Sequence, residues 1–274
     1  MNQPPQHSAP PQWRRPAGVA PGTWDYVNQR TIADHYDAFV ADTPLCRLDT
    51  ELLAEWLPGT DASNPQLVLD LGCGSGRTAL PMVSAGYDVI GIDLSESMLR
   101  LVREKSEAAR GQGGSLSVIR ANLVDLDCLA PQSADHAVCL FSTLGMIQGR
   151  RHRRQMLSHV ARIVRPGGRL LVHVHNRWAA VREPAGCRGL ARSWLASWGD
   201  ADREFGDSVY AYRGIETMFM HRFSRRELRR DLIATGWRVV RMDAVSIDGS
   251  RRIPAGWLNA IQAGGYLAVA SRAV

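Results

Sequence analysis

Three glycines alternate in Asp70-Leu71-Gly72-Cys73-Gly74-Ser75-Gly76-Arg77, directly after the apolar run Leu67–Leu71. Glycine lets a backbone turn tightly and lets a ligand touch the main chain with no Cβ in the way. A helix starting just beyond leaves unpaired N–H groups aimed at whatever is bound. Gly74-x-Gly76-x-x-Ala79 also fits, loosely, the spacing of a dinucleotide loop. A second carboxylate, Asp93, closes the next apolar run, Val89-Ile90-Gly91-Ile92-Asp93. Placed at the end of a neighbouring strand, it can accept both hydroxyls of a ribose; a helix-start aspartate is the lesser alternative. Four histidines are candidate bases: His35, His173, His175 and His221. On an alternating strand His173 and His175 share a face, and His175 lies nearer the carboxyl end, where open α/β sheets bind ligands.

These residues need a scaffold of strands feeding helices. Apolar runs at 67–71, 88–92, 116–119, 137–141 and 170–174 read as strands. Between them, helices are expected over 77–85, 95–110 (Ser95 as N-cap) and 151–164, the last with Met156, Leu157, Val160, Ile163 and Val164 inward. Near-continuous apolar strands alternating with helices imply a parallel sheet covered on both faces. Pro166-Gly167-Gly168 reads as a turn. Ser224 with Glu227 forms a capping box for a helix over 224–235. Strands at 237–244 and 265–271 follow, the latter an antiparallel return after Gly264-Gly265. Shorter helices are expected over 24–41 and 49–57.

With the loop and Asp93 in place, residues 67–174 resemble a class I S-adenosylmethionine (SAM)-dependent methyltransferase. The acidic-x-Gly-x-Gly-x-Gly loop at 70–76, the strand Val89–Asp93 followed by Leu94-Ser95-Glu96-Ser97-Met98-Leu99, and Arg165-Pro166-Gly167-Gly168 before an apolar strand carry the likeness. It implies an α/β fold, doubly wound, with a mostly parallel seven-stranded sheet and one antiparallel C-terminal strand. It implies SAM as cofactor. Asp70, Gly72, Gly74 and Gly76 would line its methionine part and Asp93 would bind its ribose. Leu94, Met98, Asn122 and Leu123 would flank adenine. Asn122 stands where the family often has Asp, and its side-chain carbonyl can still accept from the adenine amino group. Phe141 would border the sulfonium, and Tyr36 would close over the cofactor or simply pack. Methyl transfer needs alignment and exclusion of water rather than an obligatory base; His175 is the candidate where the acceptor carries a proton.

The rest of the chain sets the surroundings. Among 274 residues, 45% are hydrophobic and 22% charged, which excludes a fully disordered, collagen-like or coiled-coil protein. Residues 1–23, with paired prolines and no apolar run, read as a disordered tail; 24–60 as a helical cap; and 61–274 as the methyltransferase domain. Residues 176–215, rich in Trp and Arg, read as an insertion over the strand ends. There Trp178, Trp194 and Trp198 are expected to anchor a lid to the body. The run Arg150-Arg151-His152-Arg153-Arg154 reads as a solvated helix face. Five cysteines without a paired spacing point to a reducing cytoplasm and no zinc site. The expected acceptor is a small molecule in a pocket roofed by residues 24–45 and 176–215, with no membrane and no metal. The arginine clusters and the formal charge of +6 keep a tRNA or other nucleic-acid acceptor as the second reading, a non-catalytic SAM-binding module as the third and a nicotinamide dehydrogenase as a minor one.

Overall fold

The computed structural model describes residues 10–29, 43–57, 59–60, 63–108, 113–200, 202–253 and 259–273. Tyr36 and His35 lie outside them.

Five strands lie parallel: β1 (Leu67–Leu71), β2 (Asp88–Asp93), β3 (Leu116–Arg120), β4 (Ala134–Cys139) and β5 (Val164–His175). β8 (Trp237–Ser246), β9 (Arg252–Ile253) and β10 (Ala263–Arg272) complete the sheet, whose order is β3-β2-β1-β4-β5-β10-β8-β9. β10 is antiparallel to both β5 and β8, as expected for the C-terminal strand. The departure from seven strands is β9, a two-residue edge strand beside β8. The expected turn at Pro166-Gly167-Gly168 is instead absorbed into β5. The pairing jumps from Ala134↔Val164 to His136↔Arg169 there, with Gly167 at φ +82°, so the extra residues on β5 turn out of the ladder as an irregular bulge.

Both faces of the sheet are covered because its central strands are apolar on both sides. Val68 joins a core cluster with Leu48 and Leu52 of helix α2 (Pro44–Trp56), which precedes β1, and Met82 of α3 (Ala79–Ser84). Leu69 and Leu71 point the other way, into a cluster with Met156, Leu157 and Val160 of α6 (Arg150–Ile163). The same period of two sets Asp70 on the α3 face with Val68. α4 (Glu96–Ala108) covers β2 and β3. α8 (Arg225–Ala234) begins at the expected capping box, with both the Ser224 and Glu227 bonds formed, and Trp237 donates from Nε1 to Leu157 O at 3.1 Å.

Two parts differ from the sequence expectation, and a third gains detail. Residues 10–23 are ordered rather than a tail: a 3-10 turn at Gln12–Arg14 and then α1 (Pro21–Asn28). The 176–215 region, expected as an insertion over the strand ends, has regular elements of its own. It holds a 3-10 turn (Arg177–Arg182), helix α7 (Gly186–Gly199) and a hairpin of β6 (Asp207–Tyr212) and β7 (Ile215–His221), a separate two-stranded sheet. The arginine run of α6 is not a solvated face. Arg150 and Arg154 each reach Asp231 at 2.8 Å, and the fully buried Arg153 reaches Glu204 at 2.8 Å. A short helix α5 (Thr143–Met146) and a final helix α9 (Asn259–Gln262) complete the elements among the described residues.

Candidate active site

The glycine loop leaves β1 and bends under β2: the Gly72 and Cys73 amides donate to Ile92 O at 2.8 and 3.2 Å. Gly72, Gly74 and Gly76 have φ of +79°, +53° and +90°, a region costly for any residue with a Cβ. Space adds to this requirement. A Cβ on Gly72 would sit 2.4 Å from Thr143 Cγ2, and one on Gly76 would sit 2.3 Å from Val102 Cγ2. Lys105 Nζ ties the loop to α4 by donating to Ser75 O at 2.9 Å.

Two carboxylates hold the loop's shape. Asp93 accepts from the Gly74 amide at 3.0 Å through one oxygen and from the Ser95 amide at 2.8 Å through the other. Each oxygen keeps a lone pair for a ligand hydroxyl. Asp70, 2% exposed, accepts from Thr78 Oγ1 at 2.5 Å. Burial pushes the Asp70 carboxyl up to about 6, against the pull of Thr78 and the Arg77 guanidinium. Burial raises Asp93 as well. Burial likewise raises the Cys73 thiol, with Asp70 and Asp93 adding to the effect, so this loop cysteine stays a protonated, inert neighbour.

These groups open onto a cavity of about 290 Å³. Asp70, Gly72, Gly74, Asp93, Leu94, Met98, Asn122, Leu123, Phe141 and His175 all line it. Among the candidate cofactor residues that the structure describes, Gly76 is not in its wall. It acts one step back, as the residue that lets the loop pass α4. Asn122 is already engaged: Nδ2 donates to Ala17 O at 3.0 Å and Oδ1 accepts from the Val124 amide at 3.2 Å. One lone pair of Oδ1 is left for a ligand donor. Phe141 and Ser142 both have positive φ, +54° and +66°, strain that turns the chain at the end of β4. The Arg77 guanidinium stacks 4.9 Å over the Phe141 ring and pairs with buried Asp49 at 2.9 Å.

Of the histidines, His175 alone among the described candidates reaches the cavity. Its backbone is fixed on both sides: its amide donates to Ser142 Oγ at 3.0 Å and its carbonyl accepts from the Phe223 amide at 2.8 Å. The following Asn176 is clamped between Ala263 O and the Tyr266 hydroxyl. Burial, with Arg222 adding to it, lowers the His175 imidazole to about 4, so it is neutral at physiological pH. His173 is edge-on to it at 5.7 Å, but it is buried away from the cavity, and burial holds it well below the usual histidine range. His221 is buried between Asp207 (2.6 Å) and Glu227 (2.9 Å). Glu204, His221 and Glu227 lie close enough to share a cation. Arg153 on Glu204 and Arg177 on Glu227 already balance those charges within the protein, so the cluster works as an internal ion-pair network.

The opposite wall comes in part from the segments expected to roof the pocket, with Tyr26 and Val27 from 24–45 and Tyr210 and Tyr212 from 176–215; residues 18–23 and Met218 and Met220 extend it beyond them. Gly18, Val19, Thr23, Tyr26 and Val27 from the N-terminal strap, and Tyr210, Tyr212, Met218 and Met220 from the β6–β7 hairpin, also line the cavity. The strap is pinned by Gln148 N to Gly18 O at 2.8 Å and by the Val19↔Ile147 bridge. Gly22 packs so close to β7 that a Cβ there would sit 2.1 Å from Thr217 O. The hairpin's contribution had a signal: Tyr210-x-Tyr212 and Met218-x-Met220 place four bulky side chains at a period of two. Residues 18–23 had none.

Residues 68–168 match the family model described as a methyltransferase domain, and these are the residues that carry the loop, Asp93, Asn122 and Phe141. The chain carries a class I SAM-dependent methyltransferase domain. Similar proteins include human glycine N-methyltransferase, 30% identical over 174 residues, which cover 59% of this chain and 58% of that one. A ubiquinone/menaquinone biosynthesis C-methyltransferase from Syntrophotalea carbinolica is 34% identical over 108 residues, covering 38% and 42%. The chain thus spans about half the length of these curated relatives. The methyltransferase domain's fold is shared with magnesium protoporphyrin IX methyltransferase from Synechocystis, solved with bound SAM (TM-score 0.60, 17% identity, 94% of this chain and 100% of that one). It is shared too with the CcbJ methyltransferase of Streptomyces caelestis (TM-score 0.60, 20% identity, 84% and 96%).

The site fits the cofactor on its own chemistry. It offers two acidic side chains toward a cationic ligand and a Cβ-free cradle. It also offers the Thr23 hydroxyl, which is buried in the cavity wall without a hydrogen-bond partner among the described residues. An orphaned buried hydroxyl is costly, and a ligand polar atom would relieve it.

Proposed function

We propose that the protein transfers a methyl group from SAM to a small molecule held between the glycine loop, the N-terminal strap and the β6–β7 hairpin. The observation that carries this reading is the enclosure. Strap and hairpin wall the cavity opposite the loop, with the Tyr26 and Tyr212 rings 6.1 Å apart, an enclosure that favours a small acceptor over a polymer. SAM, when bound, supplies a methyl group already activated on a sulfonium.

The chain's part is binding, alignment and exclusion of water. The loop backbone and Asp70 would hold the amino-acid end of the cofactor and Asp93 the ribose hydroxyls. Leu94, Met98, Asn122 and Leu123 would flank the adenine, with Phe141 beside the sulfonium. On the acceptor side, the Tyr26, Tyr210 and Tyr212 rings and the Met218 and Met220 thioethers offer aromatic and polarizable surface. His175, neutral and without a hydrogen-bond partner on its ring nitrogens among the described residues, would take the proton from an acceptor hydroxyl or amine as the methyl arrives. Relatives named for glycine and for ubiquinone and menaquinone biosynthesis support a small acceptor. A cytoplasmic setting fits five free cysteines, and no helix among the described residues is long and apolar enough to cross a membrane.

Methyl-labelled SAM, incubated with the protein and either a low-molecular-weight cell extract or bulk tRNA, tests the reading. Label should enter an extractable small molecule. Label entering tRNA alone, or neither pool, would overturn it.

A further inference from the structure

Of the three expected lid anchors, Trp178 packs edge-on to Phe205 at 5.8 Å, but Trp194 and Trp198 do not anchor. Helix α7 has no buried residue, and Trp194, Leu195 and Trp198 are 44%, 61% and 75% exposed. With Cys187 and Ala191 they fall at i, i+4, i+7, i+8 and i+11, one continuous stripe of a helix. The two indoles meet edge-on at 4.7 Å, so they form one apolar plate. The helix is firmly mounted from behind: Ser193 Oγ accepts from the Gly206 amide at 3.0 Å and donates to Glu204 O at 3.4 Å.

The stripe's flank is cationic. Arg188 and Arg192 stand along one side and Arg182 just before the helix, all exposed, and none makes an ion pair among the described residues. The neighbouring acids are already matched, Glu183 by Arg222 at 2.6 Å and Asp200 by Arg203 at 3.3 Å. An apolar plate of Trp and Leu beside unmatched arginines is the composition of a helix that lies in a lipid interface. Indole suits the boundary because its body is apolar and its N–H is polar, and arginine stems cover apolar surface while the head stays with phosphates. A second copy of this chain would bring the same arginines face to face, which costs free energy.

We propose that the exposed face of α7 docks on an anionic lipid surface, with Trp194, Leu195 and Trp198 in the headgroup region and Arg182, Arg188 and Arg192 on lipid phosphates. This departs from the expectation of no membrane contact, and it is read without any methyl transfer, so its failure would leave the proposed activity standing.

Flotation of the full chain with large unilamellar vesicles tests it. The protein should float with vesicles of phosphatidylcholine mixed with phosphatidylglycerol, stay behind with phosphatidylcholine alone, and be released by high salt. Each of Arg188→Gln and Arg192→Gln should weaken binding about fivefold. Trp194→Ser/Trp198→Ser should abolish it while leaving the thermal melt unchanged, because both side chains are exposed. No flotation with anionic vesicles at low salt would overturn the proposal. So would unchanged flotation of the double tryptophan variant, or a dimer in sedimentation that this variant dissolves while vesicles are ignored.

Discussion

Asp70→Asn should stabilise the ligand-free protein and weaken it as a receptor. The carboxyl is buried, and burial carries it from 3.8 to about 6. Holding it charged above pH 6 therefore costs the fold about 3 kcal/mol, from roughly two pH units at ~1.4 kcal/mol each. The sign follows from the raised value. The folded state binds the proton more tightly than the unfolded chain, so the penalty is absent below pH 3.8 and fully present above pH 6. Asparagine carries no charge to desolvate, and its carbonyl can still accept from the Thr78 hydroxyl. Urea denaturation of the ligand-free protein should then show the variant more stable by about 3 kcal/mol at pH 7.5 and by about half that at pH 5. The nearby Arg77 and Asp93 are unchanged in the comparison. A variant less stable than the parent at pH 7.5, or a difference that ignores pH, would refute the reasoning. The same substitution should loosen SAM, because the acid faces a cationic ligand.

Other perturbations address other parts of the site. His175→Phe should lower turnover with the melt preserved. The parent rate should be flat from pH 6 to 8 and decline as the imidazole, lowered to about 4, takes up a proton; a profile rising through pH 6.5 would show an ordinary histidine instead. Gly22→Ala would thrust a methyl to 2.1 Å from Thr217 O, lifting the strap from β7. SAM affinity measured by titration should fall about tenfold while the global melt moves little, and an unchanged affinity would remove the strap from the site. Arg153→Met strips Glu204 of a buried partner and should cost about 3–5 kcal/mol, read as a melt lowered by roughly 6–15 °C; a shift below a degree would mean the ion pair carries no net stability.

Much of this was legible in the chain because local patterns carried it. β1, β2 and β4 are buried on both faces, so their apolar runs announce a parallel sheet. The glycines at 72, 74 and 76 announce left-handed backbone that the structure confirms. The Ser224–Glu227 box needs only three residues of context. What was not legible depends on contacts far apart in sequence. Ala17 reaches Asn122 across 105 positions, and no periodicity in residues 10–23 reports that they will close a cavity. The arginine run at 150–154 looks like a solvated face until Asp231 and Glu204, distant in the chain, arrive to pair with it. Trp194 and Trp198 look like core residues by type, and only the packing of α7 shows that they face outward. Asn122 was expected to serve adenine alone, yet its amide is shared with the strap.

The central claim is that Asp93 and the glycine loop form a SAM site. Isothermal titration with SAM tests it directly. The parent protein should bind one equivalent per chain. Asp93→Ala should weaken binding about a hundredfold, since two charge-assisted ribose bonds at ~1.5 kcal/mol each are lost. Because Asp93 also accepts from the Gly74 and Ser95 amides, Asp93→Asn, which keeps an acceptor for one of them, should lie between the two. Absence of binding by the parent protein, or equal affinity in all three, would contradict the account.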